Sequence, residues 1–217
     1  MSRRSINLTF HGIGRPGRRL DPHEDVVWVS QDRFLSVLDE VADRRDVAIS
    51  FDDGNESDVE LALPALCERG LHATFFVVAG RLGQPAFVDE AGVRALAAAG
   101  MEIGCHGMRH RAWRGLDRPA LREELVDARH VLERAVRRPV TRASCPFGAY
   151  DRRVLRALHR CGYASVYTSD RGTARPNSFL QTRNTIGPHD GDELLDRIRA
   201  LDRRPSRHAK GIVKRWR

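Results

Sequence analysis

The sequence predicts an α/β protein whose strands and helices form a distorted (β/α)7 barrel in a single domain. Short apolar runs typical of strands alternate with helical stripes from one end of the chain to the other. Polar side chains that could do chemistry follow most of these runs, and in a barrel the carboxyl ends of all strands meet at one face. An open sheet would bring together only neighbouring strand ends, so the barrel is favoured. A chain of 217 residues is long enough for one sizeable core and short for two.

Seven apolar runs are predicted as strands. They span residues 6–10, 47–51, 73–78, 101–105, 141–145, 164–168 and 181–186. Helical stripes are predicted at residues 34–42, 59–67, 121–135, 154–158 and about 192–201. Asp117, placed ahead of Pro119, is typical of a helix N-cap, and Asp151 and Gly162 are typical of the two ends of the fourth helix. Pro64 predicts a kink in the second helix, or marks its true first turn.

Most of the excess positive charge lies near the end of the chain. The formal net charge is +8, and nearly all of it is carried by arginine, because lysine occurs only at Lys210 and Lys214. Residues 203–217 are basic and show little apolar periodicity, so they are predicted as a flexible tail after a domain of residues 1–202. Such an arginine bias is more often compositional than a sign of nucleic-acid binding, and no nucleic-acid partner is predicted.

No membrane partner is predicted either. No stretch approaches the roughly 20 apolar residues that span a bilayer. The apolar run that follows the basic N-terminus is too short for a secretory signal. Hydrophobic residues make up 41% of the chain, which is typical of a soluble globular domain and excludes a disordered one. We therefore expect the protein in the cytoplasm.

The four cysteines do not form a metal-binding pattern. Cys67, Cys105, Cys145 and Cys161 are widely spaced and contain no CxxC pair, which excludes a zinc ribbon. Cys67 and Cys161 fall on apolar helix faces, where free thiols are ordinary. Cys105 and Cys145 adjoin the candidate site residues described next. Neither has a dedicated base near it in sequence, so a thiol nucleophile is disfavoured.

Two short segments carry the candidate chemistry. The run from Ile49 to Gly54 is a hydrophobic strand that ends on the adjacent carboxylates of Asp52 and Asp53. His106 and His110 supply two imidazoles four residues apart, just after another strand. One carboxylate and two histidines form a three-ligand metal set with an open position for water. The remaining carboxylate is the natural acceptor of a proton from that water, so a metal-dependent hydrolase is predicted.

These segments resemble two motifs of the polysaccharide deacetylases, also called the NodB-homology family, over about residues 10–186. The family motif T-F-D-D-G is similar to residues 50–54, and H-[ST]-x-x-H is similar to residues 106–110. The resemblance implies that Asp53, His106 and His110 bind a divalent ion, zinc in the first place, with cobalt or nickel as alternatives. It also implies that Asp52 is the general base, and that the backbone N–H of Phe147 stabilises the oxyanion.

Three positions depart from the family pattern. Gly107 stands where the family has Ser or Thr, so a hydroxyl that braces the loop is missing. The third motif, R-x-P-[YF], reads Ser144-Cys145-Pro146-Phe147 here, so the arginine that orients the base is missing. Arg142 is near in sequence but is expected to point to the other face of its strand. The aromatic-rich fourth motif is also absent, and residues 168–172 occupy its place.

The general acid has two candidates. His11 follows the first strand directly and resembles the histidine near the start of some family members. His189 is a poor counterpart of the family's fifth motif, so His11 is favoured and His189 stays the alternative.

The predicted function is hydrolysis of an N-acetyl amide on an amino sugar or glycan. A metal-dependent deformylase or amidohydrolase acting on a non-polymeric substrate is the alternative within the enzymes. A non-catalytic metal- or glycan-binding relative is the second class, supported by the missing arginine and the altered fourth motif. The expected partner is a carbohydrate or another small molecule, and the sequence leaves the sugar, the acyl group and the oligomeric state open.

Overall fold

The computed structural model describes residues 4–191 and 193–201 of the chain. Within this part, nine strands belong to one sheet. They are β1 (Ser5–Phe10), β2 (Val47–Asp53), β3 (Ala73–Val77), β4 (Glu102–Cys105), β5 (Arg142–Ser144), β6 (Ser165–Thr168), β7 (Thr173–Ala174), β8 (Leu180–Thr182) and β9 (Asn184–Thr185). The helices are α1 (Gln31–Val41), α2 (Leu63–Glu68), α3 (Glu90–Ala98), α4 (Arg118–Arg122), α5 (Ala128–Val136), α6 (Arg152–Arg160) and α7 (Leu194–Leu201).

The sheet curves into a nearly closed barrel. Strands β1 to β6 lie side by side in chain order, and every pair is parallel. β8 pairs with β6, and β9 pairs with β1. The short segment that contains β8 and β9 therefore spans the gap between the sixth strand and the first. The predicted barrel is confirmed, with a small antiparallel addition, β7, beside β1.

Two strand predictions change in detail. The run predicted as one strand at residues 181–186 is divided at Arg183, because its two halves pair with different neighbours, β6 and β1. β2 was expected to end at Phe51, but it continues through Asp52 and Asp53, which pair with the last residues of β3. The carboxylates are therefore held by the sheet itself.

The two faces of the sheet differ in polarity. Outside the barrel, the Phe51 ring stacks on Phe75 with centroids 4.6 Å apart, and Phe10 and Phe34 complete an aromatic cluster between the sheet and α1. Side chains alternate along a strand, and most of the alternate residues of β1 and β2, which face inward, are polar. Thr9 and Ser50, for example, share a hydrogen bond of 2.9 Å. The barrel interior can therefore hold charged groups.

The predicted helix ends agree with the structure. Asp117 accepts a hydrogen bond from the Ala120 backbone, and Asp151 accepts one from Val154, as N-caps do. Gly162 has a φ of +78°, the left-handed conformation expected after α6.

The second helix begins with a π-helical turn at residues 58–62, after which Pro64 lies in the first turn of α2. Pro64 therefore marks the start of the regular helix, where a missing N–H is tolerated.

One helix was not predicted. α3 contains four alanines and a glycine, so its apolar stripe of Val93, Leu96 and Ala97 is weak in the sequence. Packing buries those three side chains and makes the segment helical, with Asp89 as its N-cap.

The final predicted helix is confirmed as α7, whereas the basic tail at residues 203–217 lies outside the described residues. The domain boundary near residue 202 therefore stays a prediction. Among the described helices, none has the length and apolar character needed to cross a bilayer. The expected cytoplasmic location stays a prediction too.

Candidate metal centre and active site

Asp53, His106 and His110 come together at the carboxyl ends of β2 and β4. Asp53 Oδ1 lies 3.5 Å from His106 Nε2 and 3.1 Å from His110 Nε2. One potential ligand atom from each of the three residues falls within 4.8 Å of the others. Strand alternation would direct Asp53 away from Asp52, but a φ of +78° at Asp53 ends the extended conformation at that residue. The predicted set is therefore assembled by one strand end and one loop.

The donor atoms are suited to a cation. His106 Nδ1 donates to the Ser144 carbonyl at 2.9 Å, because a carbonyl oxygen can only accept. In the neutral ring this leaves Nε2 with a free lone pair directed at Asp53, as in metal-ligating histidines. Asp53 Oδ1 is buried and has no partner of hydrogen-bond geometry among the described residues. Two imidazole nitrogens and one carboxylate oxygen thus face a common point, and the residues fit a divalent ion.

The protonation states also favour metal binding. Burial opposes ionisation of Asp53, but the neighbouring charges of His110, His11 and His106 lower its pKa below the ordinary value. Burial lowers the pKa of His110 to about 4, although Asp53 acts in the opposite direction. At neutral pH the carboxylate is therefore charged and the His110 imidazole is neutral. These are the forms that coordinate a metal.

Asp52 lies beside this set and is held by Arg183, which was not predicted as a site residue. The Arg183 guanidinium bonds both carboxylate oxygens, at 2.6 Å to Oδ1 and 2.7 Å to Oδ2. Oδ2 also lies 3.7 Å from His106 Nε2. Burial opposes ionisation of Asp52, but Arg183 and then His106 lower its pKa far below the ordinary value. Asp52 is therefore an anion at neutral pH.

Arg142 does not reach Asp52. It forms an ion pair with Glu102 and hydrogen bonds to Tyr167 and Thr74. The prediction that it points to the other face of the strand is wrong, because Arg142 lies two residues before Ser144 and shares its inward face. A signal for Arg183 did exist in the sequence, since it is a charged residue within a run predicted as a buried strand.

The loop between the two histidines is braced by Glu124, which was also missed. Its side chain is completely buried, and one carboxylate oxygen accepts the backbone N–H of Met108 at 2.8 Å. The other bonds Arg111 Nε at 2.9 Å. The sequence signal was a glutamate on the apolar face of a helix, three residues after Leu121 and four before Ala128.

Gly107 is explained by that carboxylate. A Cβ atom at this position would lie 2.2 Å from Glu124 Oε2, and Gly107 has a φ of +85°. The loop has no Ser or Thr hydroxyl at position 107. The carboxylate of Glu124 occupies the space that such a side chain would need, and it holds the loop instead.

The other predicted site residues lie at different distances from the centre. His11 is half-buried, and its charge contributes to the lowered pKa of both Asp52 and Asp53. The ring of Phe147 is 70% exposed and packs on His110 with centroids 4.7 Å apart. His189 is exposed in the turn after β9. The structure therefore groups His11 and Phe147 with the metal set more closely than His189.

The two cysteines beside the site lie in the hydrophobic core. Cys105 is fully buried, and burial raises its pKa to about 11. Cys145 is also buried, and none of the four cysteines, which all lie in the described part of the chain, forms a disulfide. A thiol with a raised pKa is a poor nucleophile at neutral pH. This agrees with the preference against cysteine chemistry.

Comparison with known proteins identifies the class. The profile of the polysaccharide deacetylase family matches residues 39–166, more than half of the chain. The chain therefore belongs to the polysaccharide deacetylase family. Its members are hydrolases of carbon–nitrogen bonds other than peptide bonds.

Among individual proteins, YxkH of Bacillus subtilis (strain 168), assigned by name to the polysaccharide deacetylases, is 27% identical over 155 residues. That match covers 71% of this chain and 53% of YxkH, so the chain spans about half the length of this relative. The deacetylase PplD of Streptococcus pyogenes, solved in complex with acetate, has a TM-score of 0.79 at 19% identity, over 91% of this chain and 99% of PplD. A de-N-acetylase from Aggregatibacter actinomycetemcomitans has a TM-score of 0.78 at 14% identity, over 90% of this chain and all of that one. At these identities the solved structures support the fold.

Substituting Gly107 tests the brace. We expect Gly107→Ser, which introduces the family's usual residue, to lower the Tm by at least about 5 °C more than Gly115→Ser does. Gly115 is a matched control, because it has the same φ of +85° and nothing within 4 Å of an added Cβ. We also expect about 10- to 100-fold weaker metal binding for Gly107→Ser only. Thermal melts and metal titrations measure both effects, and equal behaviour of the two variants would contradict the clash.

Proposed function

We propose that this chain removes the acetyl group from an N-acetylated amino sugar in a glycan or a soluble glycan precursor. The observation that carries the proposal is the Asp53–His106–His110 set with a second, ionised carboxylate, Asp52, directly beside it. The exposed ring of Phe147 next to His110 supports a carbohydrate substrate, because sugar rings can pack on a flat aromatic face. Family membership supports the same reaction class.

Asp53, His106 and His110 would hold a divalent ion, with zinc proposed first because one carboxylate and two imidazoles are a common zinc set. When bound, such an ion polarises the amide carbonyl and lowers the pKa of water from about 15.7 to about 7. The buried carboxylate and the fixed His106 tautomer prepare the site for it. Cobalt and nickel remain alternatives that suit the same donors.

Asp52 would be the general base. Its Oδ2 atom faces His106 and would accept one proton from the attacking water, while the water oxygen forms the new bond to the amide carbon. A positioned base contributes roughly 100- to 10,000-fold to such a reaction. The low pKa of Asp52 keeps the carboxylate ionised throughout the neutral range.

His11 would be the general acid, and the backbone N–H of Phe147 would donate to the oxyanion. His11 would give a proton to the amide nitrogen as the carbon–nitrogen bond breaks, so that the products are the free amine and acetate. The closeness of His11 to both aspartates supports this role over one for His189, which lies exposed in its turn.

Acetate release in the presence of defined metals tests the function. Metal-free protein would be loaded with Zn²⁺, Co²⁺ or Ni²⁺, or kept in a chelator, and incubated with N-acetylglucosamine monomers, N-acetylglucosamine oligomers and simple formamides. We expect one ion per chain and metal-dependent acetate release from an acetylated sugar. Formate release alone would favour the deformylase alternative. One bound ion without any turnover would favour a non-catalytic relative.

Asp52→Asn separates catalysis from metal binding. We expect kcat to fall roughly 100- to 10,000-fold with the metal content unchanged, because the base is lost and the three ligands remain. Asp58→Asn is the matched control. Asp58 is completely buried, and burial together with the charges of Asp53 and Asp52 raises its pKa well above the ordinary value, so a neutral asparagine replaces a carboxyl group whose charged form is disfavoured. Its replacement should change kcat by less than about threefold, and a fully active Asp52→Asn protein would rule out the base.

Paired histidine variants identify the acid. We expect His11→Gln to lower kcat roughly 100-fold or more on an N-acetylated sugar, and His189→Gln to change it by less than about twofold. The defect of His11→Gln should shrink on an aryl acetamide, whose better leaving group needs less protonation. The reverse pattern, with His189 essential, would transfer the role to His189.

A further inference from the structure

Arg183, in the segment that closes the barrel, places its buried guanidinium against Asp52, the proposed general base. The Arg183 side chain is only 2% exposed, and its two terminal nitrogens bond the two oxygens of Asp52 in a parallel fork. The nitrogen that bonds Asp52 Oδ2 also donates to Ser144 Oγ at 2.6 Å. Bidentate arginine–carboxylate pairs fix the plane of the carboxylate as well as its charge.

We propose that Arg183 is the positioning residue for Asp52, and that it substitutes, from a different strand, for the arginine absent at Ser144. This inference rests on the proposed function, because it assumes that Asp52 acts as the general base in amide hydrolysis. Arg183 reaches Asp52 across the barrel interior, whereas an arginine in the third motif would extend from β5. The same guanidinium–carboxylate contact is thereby built from a position about forty residues further along the chain.

Hydrogen bonds of the backbone fix the position from which the Arg183 side chain extends to Asp52. Arg183 lies between β8 and β9, where the chain leaves β6 and joins β1. Its N–H donates to the Thr168 carbonyl at 2.9 Å, and its own carbonyl accepts the Arg171 N–H at 3.1 Å. The residue that closes the barrel therefore cannot move without disturbing the closure.

The surroundings hold the guanidinium as well as the backbone. The Phe76 ring lies 5.1 Å from the Arg183 guanidinium carbon, and the Tyr167 ring lies 5.9 Å from it, so both are within cation–π range. Ser50 Oγ accepts a further contact at 3.4 Å. With both of its oxygens engaged, Asp52 keeps Oδ2 directed towards His106.

The small side chain of Ser144 leaves space for the Arg183 guanidinium beside Asp52. This side chain sits between the two charges, accepting from Arg183 and donating to Asp52 Oδ2 at 3.3 Å. An arginine at position 144 would have to share this buried space with a second guanidinium. We therefore infer that the small residue at position 144 and the arginine at position 183 depend on each other, because the space beside Asp52 holds one guanidinium.

Kinetics of Arg183 variants test the proposal. We expect Arg183→Gln to lower kcat about 10- to 100-fold, with KM within about threefold of the wild type and one metal ion still bound per chain. Arg183→Lys should recover only part of the loss, because lysine keeps the charge but cannot form the fork. Arg142→Gln is the control arginine and should leave kcat within about threefold. If Arg183→Gln does not fold, Arg183→Lys alone decides, and wild-type kcat in either folded variant overturns the proposal.

A second test does not depend on turnover. We expect Arg183→Gln to lower the Tm by about 5 to 15 °C in the wild-type background and by much less in an Asp52→Asn background, because the partner charge is already gone. Equal Tm shifts in the two backgrounds would overturn the pairing. A wild-type protein inactive on every substrate, with the Tm coupling intact, would refute the proposed function and leave the pairing of these two residues standing.

The exchanged variant Arg183→Ser/Ser144→Arg provides the strongest support. We expect each single change to reduce kcat. The double variant should have a kcat at least about tenfold higher than that of Arg183→Ser, because it again has one guanidinium that can reach Asp52. Recovery of that kind requires the two positions to serve the same carboxylate.

Discussion

Two adjacent carboxylates buried at the end of one strand constrain the rest of this structure. Asp52 and Asp53 are each about 3% exposed, and an isolated buried charge is strongly unfavourable. Each therefore needs its own compensation. Asp52 receives the Arg183 guanidinium, and Asp53 faces two imidazoles that can share a cation with it. The barrel brings both kinds of partner to one place, because parallel strands end at the same face.

The same constraint explains why the supporting residues can change position while the site is kept. What the buried carboxylate of Asp52 needs is a fork of N–H donors in its plane, and the inside of a barrel can be reached from many strands. What the histidine loop needs is an acceptor for its backbone N–H groups, and Glu124 provides one from a helix. Gly107 and Ser144 are the small residues that leave space for these larger partners. The usual residue of a motif can therefore be replaced while another residue, from a different part of the chain, makes the equivalent contact.

The extent of successful prediction follows from the range of the interactions involved. The N-caps at Asp117 and Asp151 and the left-handed Gly162 depend on neighbouring residues, and all three were predicted correctly. The three candidate ligands were found because they lie in two compact segments of recognisable spacing, and the structure brings them together. α3 was missed because its alanine-rich stripe is weak, and the division of the closing strand was missed because pairing with two different neighbours has no local signature.

Sequence alone determined most of the alternation of strands and helices, the family resemblance and the three candidate ligands, since each depends on residues close together along the chain. Only the tertiary structure decided which arginine holds Asp52, what replaces the loop hydroxyl, and which histidine lies near the two aspartates. Those contacts join residues separated by up to 131 positions. Such pairs are selected by how the barrel closes, and spacing in the sequence carries no record of that closure.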